Sequence, residues 1–167
     1  MGPKLMPLAI QDGAMSPNHA KESPPRAMTI RAYLEADEAE VVALWTACGL
    51  VRPWNDPRKD IARKLAVQRD FFLVGTVGDR IVATVMAGYD GHRGWVNYLA
   101  VDPASRRLGL ARSLMAAVEE QLRGLGCAKI NLQIRHGNRD AIAFYQRIGF
   151  GEDAVVSMGK RLARDDR

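Results

Sequence analysis

The stretch "VDPASRRLGLARSLMAAVEEQL", residues 101–122, carries the end of an apolar segment through Pro103, two adjacent arginines and Gly109 into an amphipathic helix. Leu110, Leu114, Val118, Leu122 and Leu125 recur at three- and four-residue steps, which puts them on one face of a helix that starts near Gly109. The first turn of such a helix has amide donors without intrahelical partners. Summed peptide dipoles place roughly half a positive charge at the same end. Gly109 allows close approach to the backbone, Ala111 is nearly as small, and Arg106, Arg107 and Arg112 add full charges. Together these suit a phosphate or pyrophosphate. A plain strand-to-helix turn with solvated arginines would carry the same residues. The stretch is not a P-loop, because no Gly-Lys-Ser/Thr follows, and the three-glycine dinucleotide pattern is missing.

Toward the N-terminus, "MTIRAY" (28–33) reads as a first strand and "EADEAEVVALWTACG" (35–49) as a helix. Val41, Leu44, Trp45 and Cys48 sit at helical spacing there, acids lie at the front, and Gly49 closes it. A proline-bounded loop, "LVRPWNDP" (50–57), leads to a second helix with Asp56 as N-cap, Pro57 at the first position, and Ile61, Leu65 and Val67 inward. The period then changes. "FFLVGTV" (71–77), "IVATVMAGY" (81–89) and "WVNYLAVD" (95–102) are joined by the glycine turns at 78–79 and 90–94, which makes an antiparallel meander. Beyond the quoted helix come a strand (128–135), a short helix (138–150) and a last strand (153–162). The order β-α-α-β-β-β-α-β-α-β implies an α/β (α+β) domain, a mixed and mostly antiparallel sheet flanked by about four helices.

Composition narrows the function classes. The 167 residues fit one domain, and the net charge of +5 with pI about 9.5 favours an anionic partner. Basic residues are interspersed with acids, with no basic helix and no aromatic-basic interleaving, so a nucleic-acid partner is not expected. No apolar run approaches the ~18 residues of a membrane span. Cys48 and Cys127 have neither metal nor redox spacing; both are expected as small buried apolar residues, and a reducing, cytoplasmic setting fits them. Residues 1–27 hold five prolines and no periodicity. They read as a disordered or non-native extension, with residues 28–167 as the domain.

Two motifs in order then carry a family resemblance. "RRLGLA" (106–111) resembles the Q/R-x-x-G-x-G/A loop of the GNAT superfamily of N-acetyltransferases through Arg106, Gly109 and Ala111. "NRDAIAFYQRIGF" (138–150) resembles its companion motif through Asn138, Ala141, Tyr145, Gly149 and Phe150. The resemblance covers essentially residues 28–162, and "LVRPWNDP" with "AGYDGHRG" is similar to the YpeA-type bacterial branch. It implies the GNAT fold and an acetyl-CoA site without metal. Main-chain groups of Leu99, Ala100 and Val101 would pair with the pantetheine arm. The backbone from Arg107 through Leu108, Gly109, Leu110 and Ala111 to Arg112 would hold the pyrophosphate, with Arg106 beside it. Asn138 would reach the cofactor, and Tyr145 would sit near the thioester sulfur.

The reaction so implied moves an acetyl group from acetyl-CoA to a primary amine by direct attack. Tyr145 has the hydroxyl to donate to the leaving thiolate; its ring could also simply pack in the core. The resemblance points to the amide of Ala100 or Val101, on a bulged strand, as oxyanion donor. Many relatives carry a glutamate near the place that Asn97 holds here, and Asn97 can orient a water but not take a proton. Asp56 and Asp90 have cap or turn roles as sufficient explanations, and His92 sits in a hairpin turn, so no base is assigned. Trp54, Asn55 and Asn97 are the candidate acceptor-binding residues, with Arg52 as a possible partner for an acceptor carboxylate. The acceptor would be a small molecule or a protein amine, and the protein a monomer or homodimer. A non-catalytic acyl-CoA-binding regulatory module is the alternative.

Overall fold

In the computed structural model, which describes residues 27–163 and Asp165, the middle of the sheet is β2 (Phe72–Val77) and β3 (Arg80–Tyr89). Both are buried almost throughout, so they read as continuous apolar runs covered on two faces. β1 (Thr29–Ala32) lies antiparallel to β2, and β4 (Gly94–Val101) antiparallel to β3. β5 (Ile130–Leu132) joins β4 in parallel, giving the strand order β1-β2-β3-β4-β5. The expectation of residues 1–27 as an extension concerns positions outside the described residues, apart from Ala27.

Helices cover the two faces. α1 (Glu38–Ala47) and α2 (Pro57–Gln68) bury Val41, Leu44, Trp45 and Ile61 against Phe72, Val74 and Ala100. α3 (Leu110–Gly124) buries Leu114, Met115, Val118 and Leu122 against Leu73, Val85, Ala87 and Val96. α4 (Arg139–Arg147) adds Phe144 and Tyr145 to that second cluster, and Ile148 joins them just beyond its end. At the front of α2, Asp56 Oδ1 accepts from the Arg58 amide at 2.9 Å and Pro57 takes the first position, as its sequence requires.

Several expectations fail for local reasons. The apolar face of α3 turns toward Met115, and Leu125, beyond the helix end, is exposed; Val67 of α2 is exposed as well. A 3-10 turn (Glu35–Asp37) precedes α1, because Asp37 is drawn into a bidentate pair with Arg31 at 2.6 and 2.9 Å and accepts from the Leu34 amide at 2.8 Å. The expected strand over 128–135 pairs only at Ile130–Leu132. The expected strand over 153–162 does not form. Val155, Val156, Met158 and Leu162 are exposed there, and side chains hold the segment through Lys129–Asp153 at 2.5 Å and Gln133–Ser157 at 2.5 Å. Alternation alone does not make a strand without a paired neighbour. Cys48 and Cys127 are free and half-buried rather than core residues, and the Cys48 thiol donates to the Val101 carbonyl at 3.3 Å.

Candidate active site

α3 begins where the chain enters the left-handed region twice. Asp102 Oδ1 accepts from the Ala104 amide at 3.1 Å and closes a 3-10 turn (Pro103–Ser105). Arg107 then has φ 65° and Gly109 φ 79°. For a residue with a Cβ this conformation costs about 1–2 kcal/mol, so Arg107 holds a strained geometry while Gly109 holds it freely. Gly109 is the N-cap, and among the described residues no side chain caps the helix. The first intrahelical bond runs from the Ser113 amide to the Gly109 carbonyl at 3.0 Å. The amides of Leu110, Ala111 and Arg112 therefore face outward from the turn. A Cβ placed on Gly109 would meet nothing within 4 Å, so the space above the turn is open. Arg106, Arg107, Leu108 and Arg112 are exposed around it, with Leu110 and Ala111 half-buried.

The strand before this turn is bulged. Register passes from Met86 opposite Asn97 to Thr84 opposite Ala100, so Tyr98 and Leu99 share one partner position. Tyr98 has φ 51°. The extra residue turns Tyr98 onto the α1–α2 face, where its ring stacks on Trp45 at 4.0 Å, while Leu99 and Val101 pack toward α3. Ladder bonding between β4 and β5 stops at Val96 opposite Leu132, whereas β4 continues to Val101. Among the described residues, β4 from Asn97 onward thus leaves the edge facing β5 without a partner strand. Leu99, Ala100 and Val101 lie in this stretch.

On the α1–α2 face the Tyr98 hydroxyl donates to Asp60 Oδ2 at 2.6 Å. Asp60 also receives Arg63 Nη1 at 3.0 Å, and Asn55 Nδ2 stands 3.4 Å from its Oδ2. Burial, and then Asp60, hold the Tyr98 phenol far above its ordinary value. Trp54 is half exposed, and its carbonyl accepts from Arg161 at 3.2 Å. Asn97 is exposed on β4. The loop residues and the bulged strand are therefore tied together through Asp60. Nothing local in the sequence marks that carboxylate, which reads as an ordinary first-turn acid, or Tyr98, which reads as an ordinary strand residue; they are 38 positions apart.

Tyr145 packs edge-on to Phe144 at 5.1 Å and Phe150 at 5.4 Å, and burial pushes its phenol up to about 12. It lines a cleft of about 1400 Å³ with Trp95, Ile130, Leu132 and Ile142. Neither Leu99–Val101 nor the turn at 106–112 lines that cleft, but Tyr145 shares one apolar cluster with Leu99, Val101 and Leu110. Asn138 caps α4, its Oδ1 accepting from the Ala141 amide at 3.2 Å, and its amide nitrogen can donate to another partner. Asp90 accepts from the amides of His92 at 2.8 Å and Arg93 at 2.6 Å and from Trp95 Nε1 at 3.0 Å. Those donors hold its carboxyl down at about 2, so Asp90 organises the hairpin turn, and His92 is exposed within it. Among the described residues, no group of three or more His, Cys, Asp or Glu is placed to hold a metal ion, and no helix is long and apolar enough to cross a membrane.

Known proteins resemble this chain in sequence and in fold. Residues 32–150 match the model of the Acetyltransferase (GNAT) family. An acetyltransferase of Sodalis glossinidius (strain morsitans) is 45% identical over 139 residues, covering 83% of this chain and 98% of its own. Among solved structures, the ribosomal-protein-S18-alanine N-acetyltransferase from Escherichia coli superposes with a TM-score of 0.64 at 23% identity, over 76% of this chain and 79% of that one. An aminoglycoside N-acetyltransferase in complex with CoA superposes with a TM-score of 0.65 at 18% identity, over 82% and 96%. With its family model spanning most of the chain, the sheet order and the uncapped α3 turn after a bulged strand, this chain belongs to the GNAT family and is an acetyl-CoA-dependent N-acetyltransferase.

Proposed function

We propose that the enzyme passes the acetyl group directly to a primary amine presented from the α1–α2 side of the sheet. The observation that carries this reading is the uncapped first turn of α3, placed beside a stretch of β4 that β5 leaves unpaired. Backbone amides from Arg107 to Arg112 hold the pyrophosphate, where the helix dipole and the guanidinium groups of Arg106, Arg107 and Arg112 favour it. Main-chain groups of Leu99, Ala100 and Val101 pair with the pantetheine arm, and the Asn138 amide nitrogen reaches the cofactor from the start of α4. Acetyl-CoA supplies a thioester carbonyl for attack. The amide of Ala100 or Val101 donates to the oxygen that gains charge.

Tyr145 stands near the leaving sulfur. A thiol ordinarily titrates near 8.5, and a phenol at about 12 is too weak an acid to surrender its proton to such a thiolate. Tyr145 therefore stays protonated and stabilises the sulfur through a hydrogen bond. Trp54, Asn55 and Asn97 receive the acceptor, whose nitrogen must be neutral to attack; Asn97 orients the water that takes its proton. The acceptor is an amine of a small molecule or a protein. Supporting an amine acceptor, structural neighbours include enzymes named for a ribosomal-protein alanine and for aminoglycosides.

Thermal unfolding with acetyl-CoA and thiol release with a panel of amines test this reading. Acetyl-CoA raises the melting temperature, since a ligand bound only by the native state stabilises it. Tyr145→Phe slows thiol release about tenfold, the loss expected for one hydrogen bond, and leaves acetyl-CoA affinity in place. No thermal shift at millimolar acetyl-CoA removes the cofactor site, and normal turnover by Tyr145→Phe removes the role of its hydroxyl.

A further inference from the structure

We propose that Thr84, with Trp45 behind it, is a positioning residue that locks the β4 bulge and so aims the amides of Ala100 and Val101. The inference rests on the reading above, in which one of those amides meets the thioester carbonyl. Thr84 and Trp45 are each fully buried, one on β3 and one on α1. The Trp45 indole N–H donates to Thr84 Oγ1 at 2.8 Å, and the Thr84 hydroxyl donates in turn to the Tyr98 carbonyl at 3.1 Å. The indole fixes the hydroxyl rotor, because a Thr oxygen that accepts from one side has its own hydrogen free to point to the other. The three groups form a chain from α1 through the sheet to the backbone of the bulge.

What that chain grips is unusual. Tyr98 is not a glycine, yet it holds φ 51° in the middle of a strand. A strained conformation of this kind persists only where its surroundings over-determine it. Three contacts do so here: the Thr84 hydroxyl on its carbonyl, the Trp45 ring stacked at 4.0 Å on its own, and Asp60 at its phenol. Tyr98 stands two and three residues ahead of Ala100 and Val101, so its conformation sets the direction in which that backbone leaves the bulge. A valine at position 84 would keep the side-chain shape and put a methyl group against the Tyr98 carbonyl. The bulge would then relax toward ordinary strand register and carry both amides with it.

The test compares Thr84→Val, Thr84→Ser and Val118→Ala with the wild type. Each is titrated with acetyl-CoA by calorimetry and by amide NMR of Ala100 and Val101. Thr84→Ala is the second loss variant, should valine prevent folding, since it removes the hydroxyl without setting a methyl group against the carbonyl. Thr84→Val is expected to weaken acetyl-CoA about tenfold and to shrink the Ala100 and Val101 shift changes, with Thr84→Ser restoring both. Val118→Ala opens a hole in the α3 cluster and lowers the melting temperature, but it leaves affinity within about twofold. Wild-type affinity and shift changes in Thr84→Val or Thr84→Ala overturn the proposal. Ala100 and Val101 signals that stay still when the wild type binds acetyl-CoA overturn the assignment of the amides themselves, and the inference falls with it.

Discussion

The Tyr98 hydroxyl donates to Asp60 Oδ2 at 2.6 Å, so one short bond joins the helix behind the 52–57 loop to the bulged strand. Tyr98→Phe keeps the ring stacked on Trp45 and removes only that bond. A hydrogen bond to a charged partner in a half-buried place contributes about 1–2 kcal/mol. The denaturant midpoint is expected to fall accordingly with an unchanged slope. Asp60→Asn should show a coupling with Tyr98→Phe in a double-mutant cycle. An unmoved midpoint in Tyr98→Phe would mean that the tie contributes no stability.

Gly109 separates backbone strain from charge. Its φ of 79° makes any side chain there costly, yet a Cβ would meet only open space. Gly109→Ala and Gly109→Glu therefore pay a similar strain, about 1–2 kcal/mol, and should lower the melting temperature alike. Only the glutamate brings a negative charge to the uncapped turn. Acetyl-CoA affinity is expected to stay within a few-fold in Gly109→Ala and to drop more than tenfold in Gly109→Glu. Equal affinities in the two variants would place the phosphates elsewhere.

Arg31 and Asp37 give the fold an acid-sensitive clamp. The hydrogen bonds from Arg31 hold the Asp37 carboxyl below its ordinary range, against the opposing effect of burial. A carboxyl depressed in the folded state contributes stability that is present above its unfolded value of about 3.9 and lost as pH falls below it. Asp37→Asn is expected to cost about 1–3 kcal/mol at neutral pH, and the gap to wild type should narrow as pH drops below about 4. Denaturation midpoints across that range measure it, and a gap that stays constant would show that the charge is not what matters.

The elements were legible where a local signal sufficed. Asp56 and Pro57 mark the front of α2, Gly109 the front of α3, and the glycine turns at 78–79 and 90–94 the antiparallel meander of β2, β3 and β4. The two motifs likewise placed the α3 turn and α4. What local pattern could not supply was partnership across the chain. Residues 153–162 alternate like a strand, but no neighbour pairs with them, and Val155, Val156 and Met158 remain exposed. The Trp45–Thr84–Tyr98 chain joins α1, β3 and β4 through separations of 39 and 14 positions. Threonine in a strand is ordinary, and only the packed structure shows this one aimed at a bulge.

Three phenols held above their ordinary range, those of Tyr33, Tyr98 and Tyr145, predict how the fold responds to alkali. Burial pushes Tyr145 up to about 12, and burial followed by Glu38, Asp37 and Glu35 does the same for Tyr33. In the unfolded chain all three titrate near 10. A group raised in the folded state contributes stability that is complete below the unfolded value and disappears as pH rises through the folded one. The unfolded chain loses these protons first, so stability should fall between pH about 10 and about 12. Tyr145→Phe removes one of the three protons, and its alkaline limb should be shallower than that of wild type. Denaturation midpoints over this window, with phenolate absorbance followed in parallel, measure both effects. An identical alkaline slope in Tyr145→Phe would mean that the Tyr145 hydroxyl meets water in the folded state, which would also remove the reason for its staying protonated beside the leaving sulfur.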